Sequence, residues 1–145
     1  MSPFTDADLD LSSGIAAFEA KQFGRAAQLL SPLADQGNPE AQYRLAVIHQ
    51  NGLLGAVHTD EAYRLMKAAA EQGHALAQHG LGFMYMEGEC TEQDAALAVK
   101  WFQLAAEQGL AGSLTTLAMM YQEGRGVERN EDEAKRLYKL AGFDM

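Results

Sequence analysis

Cysteine is nearly absent from this chain: Cys90 is the single one in 145 residues. No internal disulfide can form, and nothing points to an oxidising compartment. Proline is rare at 3, and with 14 glycines the composition is not that of a low-complexity segment. Basic residues are few: 11 Lys and Arg face 20 Asp and Glu, for a net charge of −9. An acidic chain without a basic run repels phosphate backbones and anionic lipid surfaces, so neither nucleic acid nor membrane insertion is expected. No apolar run reaches the length of a transmembrane helix. The N-terminus, Met1-Ser2-Pro3-Phe4-Thr5-Asp6-Ala7-Asp8, carries acids where a secretion signal needs positive charge. These absences lead to the expectation of a soluble, cytoplasmic protein.

What the chain does have is apolar material, 48% of its residues, and a repeat. Gly37, Gly73 and Gly109 lie 36 residues apart, as do Leu45, Leu81 and Leu117. The same spacing joins Gly52, Gly88 and Gly124, and again Ala62, Ala98 and Ala134. Ala69-Ala70-Glu71-Gln72-Gly73 recurs unchanged as Ala105-Ala106-Glu107-Gln108-Gly109, with Leu33-Ala34-Asp35-Gln36-Gly37 as a variant. Several registers agreeing on one period mark a repeat architecture.

Each unit reads as helix–turn–helix. First helices are expected over about 39–51, 75–87 and 111–123, where residues such as Ala77, Leu81, Met84 and Tyr85 recur at helical spacing. Small residues at Ala46, Gly80, Gly82 and Ala118 permit close approach of a neighbouring helix. A glycine inside a helix costs about 1 kcal/mol relative to alanine, which tight packing must offset. Turns follow at Asn51-Gly52, Glu87-Gly88 and Glu123-Gly124. The second helices present Ala62, Leu65, Met66 and Ala69, then Ala98, Trp101, Phe102 and Ala105. Gly37, Gly73 and Gly109 fit the left-handed residue that ends many helices, and Pro39 fits the first turn of the next one. The first unit is degenerate. It keeps Ala26, Leu29, Leu30 and Leu33, its first helix runs roughly from Asp6 to Lys21, and its turn, Gln22-Phe23-Gly24, is shorter. Thr5 and Asp8 resemble a capping box. The expected fold is all-α: four units and eight helices in one domain over 1–145, with units at about 6–37, 38–73, 74–109 and 110–145.

Catalytic chemistry needs convergent polar groups, and the sequence does not assemble them. His74 and His79 do not share a helix face, His58 sits in a turn, and no cysteine or further histidine completes a metal set. Cys90 has no local partner signature of a catalytic thiol. Gly124-Arg125-Gly126 lacks the preceding strand and the Lys-Ser/Thr ending of a phosphate loop. The run Glu128-Arg129-Asn130-Glu131-Asp132-Glu133 reads as a solvated turn whose acids favour a helix N-terminus. No catalytic residue, cofactor or metal is expected.

Gly124-Arg125-Gly126-Val127-Glu128-Arg129-Asn130, following Leu117-Ala118-Met119-Met120-Tyr121, resembles the signature of the Sel-one-like repeat (SLR) family, a relative of the tetratricopeptide (TPR) repeats. The third unit is similar at Ala77, Leu81-Gly82, Tyr85, Gly88, Asp94, Trp101 and Ala105 to Gly109, the second at Ala41, Leu45, Gly52 and Ala69 to Gly73. The likeness covers about 39–142 well and the first unit loosely. His49 departs from it, standing where a tyrosine is expected, as do the turns Leu53-Leu54-Gly55 and Glu89-Cys90-Thr91. The resemblance implies a bacterial protein, a right-handed superhelix and work as a protein-interaction scaffold or adaptor. The association of some secreted relatives with cell-wall or β-lactam-like molecules leaves small-molecule binding or hydrolysis as the alternative, and self-assembly as a further one.

A TPR-like arrangement lines its concave groove with first helices. The partner-binding residues expected there are Ile15 and Phe18, then Tyr43, Val47 and Gln50, then His79, Phe83, Met86 and Glu87, and lastly Met119, Gln122 and Glu123. Their apolar members suit a peptide or helix of another protein, or pack on one another as core. At the C-terminal end Leu137, Tyr138, Leu140 and Phe143 have no following unit to cover them. They serve a homodimer, or are covered when Phe143 and Met145 fold back.

Overall fold

The computed structural model describes residues 5–143. Among them the chain forms eight α-helices and no strand: α1 (Asp6–Glu19), α2 (Phe23–Asp35), α3 (Pro39–Gln50), α4 (Thr59–Glu71), α5 (Ala75–Glu87), α6 (Ala95–Glu107), α7 (Ala111–Glu123) and α8 (Glu131–Leu140). The chain divides between Gln72 and Gly73 into two compact units, one holding α1 to α4 and the other α5 to α8. Within each unit consecutive helices pack on each other.

The 36-residue period has a physical counterpart at each register. Leu45, Leu81 and Leu117 are buried, as are Ile48, Met84 and Met120, three residues further along the same helix face. Ala26, Ala62, Ala98 and Ala134 are buried on the second helices. Fully burying side chains the size of Leu30, Ile48, Met66 or Phe102 contributes about 1.5–3 kcal/mol each. The turns repeat as well. The amides of His58, Asp94 and Asn130 donate to the carbonyls of His49, Tyr85 and Tyr121 at 3.0, 2.8 and 2.9 Å.

Helix ends follow the local chemistry. Thr5 and Asp8 make the reciprocal capping box expected of them. Asn38, Asp94 and Asn130 cap α3, α6 and α8 through side-chain oxygens, and His74 caps α5 by accepting the Ala77 amide at Nδ1. Gly37, Gly73 and Gly109 hold φ of 95°, 92° and 84°, the left-handed conformation anticipated for them.

The degenerate first turn differs from expectation. α1 stops at Glu19 rather than Lys21, and Phe23 and Gly24 open α2 rather than the turn. Lys21 itself takes the left-handed conformation, φ 62°. Its amide bonds to Phe18 and that of Gln22 to Ala17, the pattern glycine usually supplies. A lysine in that conformation is invisible to a search for glycine. Gly142 closes α8 in the same way and leaves it 10 residues long against 13 for α6.

Candidate interaction surfaces

In the first unit Ile15 and Phe18 on α1 and Tyr43, Val47 and Gln50 on α3 are all half-buried. Arg44 organises this face. Its guanidinium lies over the Phe18 ring at 4.9 Å, its Nε donates to Glu40 at 2.8 Å, and Nη2 stands 3.8 Å from Glu19. Phe18 in turn meets Phe23 edge-on at 5.6 Å. A cation over a ring at a half-exposed site contributes about 0.5–1 kcal/mol and fixes the ring's orientation. Burial pushes the Tyr43 hydroxyl pKa up.

In the second unit three rings converge. His79 and Phe83 of α5 and Phe102 of α6 meet edge to face, with centroids 4.9 to 5.4 Å apart. Phe102 is fully buried because Gly82 has no Cβ; one added there would stand 2.8 Å from the ring. His79 Nδ1 lies 2.7 Å from the buried hydroxyl of Ser113 on α7, and burial holds its imidazole below the ordinary histidine pKa. Phe83 is 36% exposed, Met119 is 46% exposed, and Glu87 and Glu123 face solvent. Gln122 accepts from the Tyr138 hydroxyl at 3.3 Å.

Met86 does not take the surface position expected of it: it is 7% exposed. The turn after α7 closes over this end of α5, where Arg125 Nη2 donates to the Met86 carbonyl at 2.8 Å and Gly126 rests on the Ala95 backbone. Leu137 is likewise core rather than an end face, at 3% exposure. It and Leu140 border a groove between α6 and α8, whereas Tyr138 turns to Gln122 and meets Phe143 edge-on at 6.0 Å. Leu140 and Phe143 are 59% and 52% exposed; Met145 lies outside the described residues.

Sequence reasoning missed a set of glutamines. Gln42 Nε2 donates to the Ala34 carbonyl at 3.2 Å while its Oε1 accepts from Gln72 at 2.8 Å. Gln108 donates to Gln78 Oε1 and to the Gly73 carbonyl, both at 2.9 Å. Gln42 and Gln78 are buried, so these bonds satisfy amides that would otherwise be costly. The signal was present in the 36-residue spacing of both pairs. His49, the packed substitute for tyrosine, meets His58 edge-on at 5.5 Å, and its buried Nδ1 has no hydrogen-bond partner.

No helix among the described residues is long and apolar enough to cross a membrane. The Sel1 repeat matches this chain three times, at residues 39–74, 75–110 and 113–142. Comparison with curated proteins returns no match. The crystal structure of a Sel1 repeat protein from Oxalobacter formigenes is similar at 33% identity and a TM-score of 0.85, over 90% of this chain and 54% of that one. The structure of c5321, a protective antigen of uropathogenic Escherichia coli displaying an SLR fold, is similar at 35% identity and a TM-score of 0.76, over 79% of this chain and 24% of that one. The chain thus spans about half the length of the first relative and about a quarter of the second. Three tandem matches over more than half of its residues, on hairpins whose turns and cores repeat, place the chain in the Sel1 repeat family.

Proposed function

We propose that this chain is a non-catalytic scaffold that holds another protein, taking a peptide or helix of it against the first helices. Sel1 repeats in general mediate contacts between proteins. The observation that carries the reading to residues is the exposure of Phe83 and Met119 on α5 and α7. An aromatic and an adaptable thioether on first-helix faces suit an apolar anchor of a partner. Glu87 and Glu123 stand exposed at the ends of the same helices and favour a basic flank. The first unit, by itself, carries a comparable face of Phe18 under Arg44 with Tyr43, Val47 and Gln50.

The test compares what the wild-type chain and a Phe83→Glu/Met119→Glu variant retain from the lysate of the native host. Circular dichroism checks that the variant keeps its helices. A protein retained by the wild type and lost by the variant supports the reading; equal retention by both overturns it for these faces. A second reading, self-association through the C-terminal end, is favoured by the exposure of Leu140 and Phe143. Sedimentation that stays monomeric as concentration rises counts against it.

A further inference from the structure

The geometry points to a second binding site, distinct from the first-helix faces, in the groove between α6 and α8: it takes a segment of another protein in which an apolar side chain stands beside a lysine or arginine. The groove encloses about 420 Å³. That volume falls within the roughly 300–1,000 Å³ of pockets that hold ligands and anchoring side chains. α7 floors it with Leu114, Leu117 and Tyr121, and α8 walls it with Leu137 and Leu140. Leu114, Leu117 and Leu137 are 6%, 2% and 3% exposed, so the floor is continuous with the core, whereas Leu140 forms an apolar lip. An apolar floor inside a polar rim is the anatomy of an interface anchor pocket.

The rim sets the charge of the occupant. Arg136 is committed to Glu133, donating from Nε to both carboxylate oxygens at 3.0 Å and from Nη2 to one of them. That pairing holds the Glu133 carboxyl below its ordinary pKa. Glu107, exposed at the other side of the groove, is paired with no cation among the described residues. One carboxylate is left unmatched beside an apolar pocket, on a chain of net charge −9. A cationic side chain completes it, and an anionic one meets repulsion.

The first unit shows what the groove is without this feature. Position 42 corresponds to 114, and Ala34 to Ala106, 72 residues on. There Gln42 bridges to the Ala34 carbonyl and to Gln72, placing a satisfied amide network where α7 has Leu114. Ala68 stands where α8 has Leu140 and Leu65 where it has Leu137, while α6, 36 residues before α8, carries Trp101 at that register. Relative to the first unit, an isobutyl group in place of the Gln42 amide removes the bridge, and Leu140 in place of Ala68 adds an apolar wall.

The experiment pans random twelve-residue peptides displayed on phage against the full chain, then measures a synthetic winner by calorimetry. The expected winners share an apolar residue within one helical turn of Lys or Arg. Leu137→Trp, which fills the groove with the indole of the preceding unit, is expected to weaken binding about tenfold or more. Glu107→Lys is expected to weaken it by a similar factor and to remove its salt dependence. Phe83→Glu is expected to leave it unchanged, which separates this site from the first-helix faces. Leu114→Gln, which can donate to the Ala106 carbonyl as Gln42 does to Ala34, gives the same loss as Leu137→Trp and replaces it if the indole unfolds the chain. Peptides with an acidic consensus, no consensus at all, or binding indifferent to both groove variants overturn the proposal. So does a change in the chain's own sedimentation on Leu137→Trp, which assigns the groove to a second copy.

Discussion

The α7–α8 turn of the second unit and the α3–α4 turn of the first occupy the same place in the repeat, 72 residues apart, yet they are held differently. The former leans on its neighbouring hairpin: Arg125 reaches the Met86 carbonyl, and Gly126 sits where an added Cβ would stand 2.4 Å from the Ala95 carbonyl oxygen. At the corresponding position the α3–α4 turn has Leu54, 47% exposed. Its anchor is the histidine pair His49 and His58, and α4 begins without a side-chain cap. One scaffold thus carries a clamped turn and a loosely capped one, and the difference lies in the side chains at a few turn positions.

Gly126→Ala breaks the clamp and should have the largest effect. The residue holds φ 72° and meets backbone rather than a flexible side chain, so neither strain nor clash relaxes cheaply. A loss of about 2–4 kcal/mol is expected in urea unfolding of the full chain. Leu54→Ala, at the matching position of the open turn, should change stability by less than about 0.5 kcal/mol. Equal losses from the two would mean that the clamp is decorative.

The helical glycines sharpen the comparison at the core. A Cβ at Gly82 meets the Phe102 ring at 2.8 Å, and one at Gly14 meets the end of Leu30 at 2.5 Å. Alanine gains about 1 kcal/mol of helix propensity at either position. Overpacking costs about 1–3 kcal/mol, and a rigid ring caught between His79 and Phe83 yields less than a leucine terminus. Gly82→Ala should therefore destabilise by about 1–2 kcal/mol. Gly14→Ala should come out smaller, and Phe102→Leu added to Gly82→Ala should recover part of the loss. A gain in stability from Gly82→Ala would show that the approach is not tight.

Substituting His49→Tyr and His58→Asp together gives the first unit the residues that stand at Tyr85 and Asp94. The tyrosine removes a buried nitrogen without a partner, and the aspartate supplies the missing cap of α4. Each step should stabilise by about 1 kcal/mol. The parent chain should also carry a pH dependence that the variant lacks. Burial holds the His49 pKa below its ordinary value, with His58 and Arg64 acting in the same direction and Glu61 opposing. Below about pH 6.5 the unfolded chain therefore binds a proton that the folded chain resists. The contribution of a neutral His49 is fully present above that pH and is lost as pH falls toward the folded-state pKa. Thermal melts between pH 8 and pH 5 should show the decline in the parent and a flatter profile in the variant.

The hairpins, the boundaries of the last three and most of the core were legible because a 36-residue period repeats the same burial requirement at Leu45, Leu81 and Leu117. The candidate surfaces were legible only in part. Helical spacing placed Phe83, Met119 and Glu123 on first helices, but it also placed Met86 there, and nothing in the spacing announces that a distant turn folds over Met86. The groove between α6 and α8 was hidden for another reason. It comes from what position 114 lacks relative to Gln42, and an absence becomes a cavity only once the surrounding walls are fixed.

Among the described residues each unit also contains one non-glycine residue in the left-handed conformation, and replacing these should give small gains. Lys21 has φ 62° in the α1–α2 turn and Cys90 has φ 67° after α5. Cys90 stands 36 residues before Gly126, and Lys21 fills the role of Gly37, so glycine is the natural occupant of both. The left-handed state costs an L-residue about 1–2 kcal/mol, of which the greater chain entropy of unfolded glycine takes back about 0.4–1 kcal/mol. Lys21→Gly removes an exposed side chain and should gain about 0.5–1 kcal/mol. Cys90 is half-buried, and burial together with Glu89 raises its thiol pKa. Cys90→Gly therefore also forfeits packing, and its gain should be about half as large. Chemical unfolding of both variants beside the parent measures the difference. A larger gain at Cys90 than at Lys21 would mean that the α5–α6 turn is the more strained of the two, and that burial of the thiol contributes nothing to holding it.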